Sequence, residues 1–415
     1  MTVEPESTFA PLQLRIPEPA ARPGEAPRFA DVALSDAGSV RRPAVDCPEN
    51  DLLDLAYSLV RVLDDDHQAV GEWAGQLTSE QLIVGIDDML RHRAFDAKML
   101  RAQRQGKTSF YMQALGEEAV ACAHARALRP GDMNFPTYRQ QGLLIASDYP
   151  LTEMMNQIFS NSRDPMKGRQ LPVMYSSKDH GFFTISGNLG TQFIQAVGWA
   201  MASALSGDTK IASGWIGDGA TAEADFHAAM VFASTYQAPV ILNIVNNQWA
   251  ISTFQGFARG SSATFAARGH GFGIPAIRVD GNDYLAVSAV SSWAAERARR
   301  NLGPTLIEWV TYRAGAHSSS DDPSAYRPKD EVGSWPLGDP VDRLARHLLA
   351  TGVWTNDDHV AAIANASAVV DAAYAEAEAN GVLGDGHATS PSTMFDDVYA
   401  ITPPLLKRQR QQAGY

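Results

Sequence analysis

Apolar residues between positions 186 and 313 alternate between two spacings. Short apolar runs, typical of buried strands, separate longer segments whose apolar residues recur every three to four positions, as on one face of a helix. The predicted strands are KIASGWI, PVILNIV, AIRVD and TLIEWVTY, and the predicted helices cover 189–205, 220–236 and 284–301. This order predicts an α/β fold with a parallel sheet and helices on both faces. The small and apolar residues of 189–205 further predict a helix that is buried on most sides.

The remaining segments divide the chain into three predicted parts. Residues 1–50 carry a proline every few positions, which predicts an extended arm, and its few apolar residues suggest that it becomes ordered only on a neighbouring subunit. Residues 51–335 form the α/β domain, with one helix capped by Thr78 and Gln81 and a second that starts near Gly116. Residues 336–415 predict a helical C-terminal extension.

Composition and charge narrow the classes of function. Hydrophobic residues make up 45% of the chain and charged residues 20%, as in a folded globular protein. A net charge of -13 argues against a broad nucleic-acid surface, and no apolar run has the roughly 18 residues of a membrane helix. Two cysteines and the lack of a recognisable signal peptide predict a cytoplasmic protein without disulfides. We therefore expect neither nucleic acid nor membrane as a partner.

The segment GWIGDGATAEAD, residues 214–225, has the glycine spacing of a dinucleotide-binding loop. Asp218, however, would point a carboxylate at the pyrophosphate of such a ligand. A dinucleotide fold also needs an acid about 20 residues further on to bind a ribose hydroxyl, and none occurs between Asp225 and Asp280. These two departures count against an NAD-binding module.

A divalent metal ion would explain the aspartate. Asp218 follows one predicted strand and Asn247 the next, so both would lie at one edge of a parallel sheet, where ligands bind. Mg²⁺ prefers such oxygen ligands, and the main-chain carbonyl of Trp249 could add a third. The amides of Gly219 and Ala220 could donate to the diphosphate that accompanies the metal. The alternative is that Asp218 only caps the following helix.

Residues 217–253, GDGATAEADFHAAMVFASTYQAPVILNIVNNQWAIST, are similar to the thiamine diphosphate motif, in which G-D-G is followed further on by N-N. Other matches follow in order along nearly the whole chain: FYMQALGEEA, YRQQG, ISGNLGTQFIQAVGWAMA, RVDGND, LIEWVTYRAGAHSSSDDPSAYRP and MFDDVY. Together they resemble the alpha subunits of thiamine diphosphate-dependent branched-chain 2-oxoacid dehydrogenases, especially the bacterial form. The resemblance implies a transketolase-like diphosphate-binding domain.

The resemblance also implies roles for single residues. Tyr138 and Arg139 would hold the diphosphate, and Leu189 would lie against the cofactor rings. His317 would be the catalytic residue near the reacting carbon, although a histidine in a serine-rich loop could instead be a solvated surface residue. The remaining implied contacts to the cofactor come from Gly187, Gly217, Gly219 and Ala220.

Two implied metal sites depart in part from the family pattern. Family members usually carry tyrosine where Trp249 stands, a change that a main-chain ligand should tolerate. A K⁺ site is implied by Ser186, Asn188, Thr191 and Gln192. Several relatives have S-S-P-L-A-T-Q where this chain has SGNLGTQ, which puts Asn188 in doubt as a ligand, and a plain helix start with polar caps is the alternative.

The implied activity is oxidative decarboxylation of a 2-oxoacid, with transfer of the acyl group to lipoyl groups on an acyltransferase core. Thiamine diphosphate needs a glutamate against its aminopyrimidine ring, and in this class the glutamate belongs to a second domain. Only one parallel sheet is predicted here, so the resemblance implies a separate beta subunit and an alpha2beta2 heterotetramer. Ser318 to Ser320 lie where mitochondrial relatives are phosphorylated.

The substrate implied is 3-methyl-2-oxobutanoate and related branched-chain acids. HSSSDDPSAYRP and SGNLGTQ both resemble the branched-chain form, and Gly187 and Gly190 remove side-chain volume beside Leu189. The alternatives are a pyruvate or acetoin dehydrogenase alpha subunit and, outside catalysis, an inactive scaffold subunit.

Overall fold

A computed structural model describes residues 13–29, 32–75, 77–386 and 388–415, so the prediction of an arm for residues 1–12, 30 and 31 lies outside the described residues. The strands are Leu59–Val60 (β1), Met133–Phe135 (β2), Ala212–Gly217 (β3), Val240–Asn246 (β4), Trp249–Ala250 (β5), Thr253–Phe254 (β6), Ala276–Asp280 (β7) and Thr305–Val310 (β8). The helices are Ser79–Arg104 (α1), Glu118–Ala127 (α2), Gly142–Ala146 (α3), Leu151–Phe159 (α4), Thr191–Leu205 (α5), Ala224–Tyr236 (α6), Gly256–Arg259 (α7), Tyr284–Arg299 (α8), Pro340–Ala350 (α9), Asn356–Ala379 (α10) and Pro404–Gln412 (α11).

Six strands form one parallel sheet in the order β1-β7-β8-β4-β3-β2, while β5 and β6 form a small antiparallel hairpin. The predicted parallel α/β fold is confirmed. Strands β1 and β2 are not predicted from the sequence; they are only two and three residues long and form the two edges. The helix expected from residue 220 is preceded by a 3₁₀ turn over Gly219–Ala222, and α6 begins only at Ala224.

Side chains of β4 point alternately to the two faces of the sheet, as the pleat requires. Ile241 and Val245 join the apolar cluster formed with α1, α2, α8 and α10. Leu242 and Ile244 join the cluster formed with α5 and α6. Helices therefore cover both faces, and the polar ends of the strands are left at the sheet edge.

Helix α5 is not buried on most sides, so that expectation is wrong for this chain by itself. Leu205 is 87% exposed, and Gly198 and Ala202 are also exposed. On the adjacent α6, Phe232 and Tyr236 are exposed as well. The two helices together present an open apolar surface, a feature typical of a protein contact site.

The first long helix begins as predicted. The hydroxyl of Thr78 accepts from the main-chain N–H of Gln81, and the Gln81 side chain accepts from the N–H of Thr78, which completes the capping box. The second helix begins slightly later than predicted, at Glu118, with Glu117 as its N-terminal flanking residue. This shift places the Glu117 side chain at the sheet edge described below.

The described part of the arm is extended, but it lies on its own chain. Four buried or half-buried side chains donate to its carbonyl oxygens: Trp73 to Arg41, Trp293 to Pro43, Arg278 to Ala33 and Arg297 to Val45, over 2.7 to 3.1 Å. These contacts give residues 33–45 of the arm partners on their own chain, while the ordering of the arm by a neighbouring subunit stays a prediction.

The C-terminal extension is helical, as predicted, and is fastened to the sheet by a buried ion pair. Arg343 on α9 donates to Asp280 at the end of β7 over 2.7 Å, and also to the carbonyl oxygens of Leu337 and Leu63. Asp280 is fully buried, and after removal of Arg343 its remaining cation would be Arg61, whose Nε lies 3.7 Å from Oδ2, so the loss should be destabilising. Among the described residues, no helix is both long and apolar enough to cross a bilayer.

Candidate functional site

A cavity of about 500 Å³ opens at the carboxyl ends of β3 and β4. Its wall combines the start of α2, residues 137–140, the loop before α5, the β5–β6 hairpin and the loop after β8. The predicted site residues that line it are Tyr138, Arg139, Gly187, Leu189, Gln192, Gly217, Asp218, Gly219, Ala220, Asn247, Trp249 and His317. Residues chosen from separate motifs therefore face one common space.

Asp218 uses one carboxylate oxygen and leaves the other free. Oδ1 accepts from the main-chain N–H of Gly219 at 2.9 Å, which is the capping role considered above. Oδ2 is buried and has no hydrogen-bond partner among the described residues. Burial raises the pKa of Asp218 to about 7. A buried carboxylate oxygen is costly unless it is paired, so this oxygen suits a cation that enters the cavity.

The two glycines beside Asp218 differ in the space that a side chain would find at each position. A Cβ at Gly217 would meet no atom within 4 Å, so the lack of a side chain adds to the open space of the cavity. A Cβ at Gly219 would lie 2.3 Å from the Cβ of Ala250, which no real contact permits. Since the N–H of Gly219 already donates to Asp218, the prediction that it also serves the diphosphate loses support.

Asn247 is held by Glu117, a residue at the start of the second predicted helix that the sequence does not mark as part of the site. Nδ2 of Asn247 donates to Oε1 of Glu117 at 2.8 Å, and Oδ1 of Asn247 accepts from the N–H of Trp249 at 3.3 Å. Burial raises the pKa of Glu117, and the nearby Arg139 opposes that rise. The two residues are 130 positions apart, and no pattern in the sequence connects them.

Arg139 is buried in the cavity wall and makes several hydrogen bonds to the protein. Its guanidinium donates to the carbonyl oxygens of Gln113 and His317, the latter at 3.0 Å. Nε lies 3.6 Å from Oε1 of Glu117. The ring of Tyr138 stands almost perpendicular to that of His317, with the centroids 5.9 Å apart. The predicted diphosphate-binding pair thus borders the predicted catalytic histidine.

His317 is half-buried and lines the cavity, so the alternative of a solvated surface histidine is wrong. Nη2 of Arg139 lies 3.3 Å from its Nδ1. A guanidinium can only donate, so Nδ1 accepts and the proton of the neutral ring lies on Nε2. Burial, together with the charges of Arg139 and Arg313, lowers the pKa of His317 to about 3.

Asp321 makes hydrogen bonds within the loop that carries His317. Its Oδ2 accepts from the main-chain N–H of His317 at 2.7 Å and from the hydroxyl of Tyr326 at 2.6 Å. Arg313, which the sequence did not mark, donates to that hydroxyl at 2.6 Å and to the Trp249 carbonyl at 3.0 Å. The predicted third metal ligand therefore already accepts from a cation and has one lone pair left.

The residues predicted to bind K⁺ mostly bond to one another. The Ser186 carbonyl accepts from Nε2 of Gln192 at 3.1 Å, and the hydroxyl of Thr191 donates to the Asn188 carbonyl at 2.9 Å. Of the four, Gln192 alone lines the cavity. Its Oε1 is buried and has no hydrogen-bond partner within the described ranges. Among the residues of the predicted K⁺ site, Oε1 of Gln192 is therefore the atom that fits a cation.

The donors at this sheet edge fit Mg²⁺ bound together with a diphosphate. The described residues contain no group of three or more His, Cys, Asp or Glu that could hold a metal. Mg²⁺ does not need such a group, because it commonly takes one or two protein oxygens and leaves the other positions to phosphate and water. The free Oδ2 of Asp218 and the amide oxygen of Asn247 suit that arrangement.

We expect His317 to remain uncharged between about pH 8 and about pH 5. Because its pKa falls to about 3 in the folded chain, against an ordinary 6.5, protonation favours the unfolded state, and the stability due to the neutral ring is lost as the pH falls below 6.5. Nitrogen NMR of histidine-labelled protein measures this, with a His317→Asn variant to assign the signal. A His317 signal that titrates near pH 6.5 would contradict the geometry described.

Two family models match the chain. The model described as "Dehydrogenase E1 component" matches residues 87–384, and the model described as "2-oxoisovalerate dehydrogenase E1 alpha subunit N terminal" matches residues 10–49. The second match covers most of the predicted arm. Together the two models account for most of the chain length.

Similarity to bacterial and eukaryotic proteins covers most of the chain. The chain is 63% identical over 408 residues to the 2-oxoisovalerate dehydrogenase subunit alpha of Pseudomonas aeruginosa, covering 98% of this chain and 100% of that protein. It is 40% identical over 356 residues to the mitochondrial 2-oxoisovalerate dehydrogenase subunit alpha of Mus musculus, covering 85% and 79% of the two chains. The mitochondrial subunit alpha 1 of Arabidopsis thaliana is 38% identical over 352 residues, which cover 84% and 73%.

Proposed function

The chain belongs to the dehydrogenase E1 component family, and we propose that it is the alpha subunit of the enzyme that decarboxylates branched-chain 2-oxoacids and passes the acyl group to lipoyl groups. The observation that carries the proposal is the buried Oδ2 of Asp218, which has no hydrogen-bond partner among the described residues and belongs to a side chain lining the cavity beside Asn247. A cation bridging to a diphosphate would pair that oxygen.

Members of this family depend on thiamine diphosphate, which supplies a carbanion that attacks the 2-oxoacid ketone and accepts the electrons left by departing carbon dioxide. In this proposal Asp218 and Asn247 hold Mg²⁺, with the Trp249 carbonyl as a further ligand. Arg139 and Tyr138 bind the diphosphate, which a fixed guanidinium and a phenol hydroxyl recognise well. Gly187 and Leu189 line the wall against which the rings of the cofactor would lie, and the free oxygen of Gln192 supports a K⁺ site.

The role proposed for His317 is narrower than the resemblance alone implies. Arg139 donates to Nδ1, so the hydrogen-bonding group of the ring that remains for a ligand is the N–H at Nε2. His317 therefore donates a hydrogen bond to a substrate or cofactor oxygen in the cavity. It does not remove a proton at neutral pH, because its only basic nitrogen faces a guanidinium.

A partner subunit would complete the site. The two acids that line the cavity, Glu117 and Asp218, both lie at its proposed metal end. The glutamate that activates the aminopyrimidine ring must then come from a beta subunit. Leu189, Ile251 and Phe257 at the rim are 46%, 54% and 55% exposed. These side chains and the open apolar surface of α5 and α6 suit the contacts of an alpha2beta2 heterotetramer, which would serve a lipoylated acyltransferase core.

The substrate assignment is tested with the full chain coexpressed with its beta subunit. We expect kcat/KM for 3-methyl-2-oxobutanoate and its leucine- and isoleucine-derived homologues to exceed that for pyruvate by about 10- to 200-fold, the usual range for methylene discrimination. A Cβ at Gly187 would have its nearest neighbour, Cε of Met174, at 3.8 Å, which leaves room for a branched acyl group. Gly190 supports this less, because its φ of 85° requires glycine in any case.

A pyruvate constant equal to or above the branched-chain constants would favour the pyruvate dehydrogenase alternative, and turnover of acetoin would favour the acetoin alternative. An inactive scaffold subunit would show no cofactor binding at all. The cytoplasmic location stays a prediction.

A further inference from the structure

A buried carboxylate, that of Glu117, lies next to Arg139, the residue proposed to bind the diphosphate. Glu117 is 3% exposed and lines the cavity beside Arg139 and Asn247. A negative charge at this position repels a diphosphate and opposes its binding. Glu117 must therefore contribute something that offsets the repulsion.

The contacts of Glu117 indicate that it orients the side-chain amide of Asn247. Oε1 accepts from Nδ2 of Asn247 at 2.8 Å, and Nε of Arg139 lies 3.6 Å from the same oxygen. An asparagine amide can turn its oxygen and nitrogen by a half rotation with little change in shape. A carboxylate can only accept, so the nitrogen must face Glu117 and the oxygen must face away. The N–H of Trp249, 3.3 Å from Oδ1, favours the same orientation.

We propose that Glu117 is a positioning residue that fixes the amide of Asn247 with its oxygen available to the metal ion, an inference that rests on the proposed function. It acts through Asn247 and does not itself touch the metal. Glu117 also sets the position of Arg139, so one side chain aligns a metal ligand with the cation that would bind the diphosphate.

The experiment uses the full chain coexpressed with its beta subunit. Binding of thiamine diphosphate is measured by calorimetry at increasing Mg²⁺, and Mn²⁺ bound in the presence of the cofactor is measured by electron paramagnetic resonance. Glu117→Leu removes the acceptor, and we expect it to raise the Mg²⁺ concentration for half-saturation about tenfold. Glu117→Gln keeps an acceptor oxygen and should stay within about threefold of wild type.

Glu118→Leu is the matched control. Glu118 is equally buried and follows directly in the chain, but it bonds to Arg93 and to the N–H of Gly116, not to Asn247. We expect this variant to lower thermal stability while leaving the Mg²⁺ dependence unchanged. An equal loss of Mg²⁺ affinity in both leucine variants would overturn the proposal, because it would mean general damage to α2.

The other possible outcomes would overturn either the positioning role of Glu117 or the proposed function. Tighter cofactor binding in Glu117→Gln would overturn the proposal, since Glu117 would then act only by repulsion. Equal losses in the glutamine and leucine variants would overturn it too, because charge and not hydrogen bonding would be responsible. Wild-type protein that binds no cofactor with Mg²⁺ would overturn the proposed function itself.

A second pair of variants keeps the test sound if Glu117→Leu does not fold. Asn247→Asp places two carboxylates against each other and should weaken metal-dependent binding about tenfold or more. Adding Glu117→Gln restores a hydrogen bond with donor and acceptor exchanged, and should recover most of that loss. Failure of this recovery, with both variants folded, would also overturn the proposal.

Discussion

The Asp218→Asn variant is expected to lose Mg²⁺-dependent binding of thiamine diphosphate and, with it, essentially all decarboxylation by the assembled enzyme. The substitution keeps the size of the side chain and the acceptor for the N–H of Gly219, but it removes the charge that would pair with the metal. An amide oxygen is a weaker ligand for Mg²⁺ than a carboxylate, and the cavity offers no other acid that is free of a protein partner among the described residues.

The same variant should make the cofactor-free chain more stable above neutral pH. Burial raises the pKa of Asp218 to about 7 in the folded state, against 3.8 ordinarily. Between these values the folded chain binds the proton that the unfolded chain has released, so Asp218 lowers the free energy of unfolding progressively as the pH rises. Asparagine cannot ionise, so the variant avoids that loss.

Thermal unfolding of cofactor-free wild type and variant, at about pH 4 and about pH 8, measures this difference. We expect similar stability at the lower pH and a higher melting temperature for the variant at the higher pH. Calorimetry with Mg²⁺ and thiamine diphosphate measures the loss of binding. Unchanged cofactor affinity in Asp218→Asn would contradict the metal assignment, and lower stability at both pH values would contradict the account of its burial.

The chain purified without its beta subunit is expected to show no decarboxylation at any cofactor concentration. Its cavity is lined by two acids, one of which bonds to Asn247 while the other caps its own turn, so neither is placed to activate a ring at the opposite end. Release of carbon dioxide from labelled 3-methyl-2-oxobutanoate measures the activity. Addition of the beta subunit to the same sample should restore it, which controls for misfolding, and turnover by the isolated chain would refute the divided site.

The sequence predicts the central part of the fold well because its signals are local. The apolar runs of β3, β4, β7 and β8 and the capping box of Thr78 each depend on residues that are neighbours along the chain. The edge strands β1 and β2 were missed because two or three residues carry no readable alternation. The exposed face of α5 cannot be predicted in this way, because its small and apolar residues are also those of an interior helix.

Some residues of the candidate site can likewise be predicted from the sequence, and others cannot. Asp218 and Asn247 could be inferred because parallel strands bring their carboxyl ends to one edge, and a sequence pattern marks both. Glu117 and Arg313 could not be inferred, because their roles arise from contacts with strand ends and loops far away in the sequence. Their residue types are common at helix starts and strand ends, so only the folded arrangement distinguishes them.

The way in which the arm is held suggests how freely its sequence can vary. Trp73, Trp293, Arg278 and Arg297 all donate to main-chain oxygens of the arm, and proline, which lacks an N–H, keeps that oxygen. The domain thus recognises the path of the arm and not the identity of its side chains at these points. Across related proteins we would expect the arm to diverge in composition at these positions while the tryptophans and arginines that bind it persist.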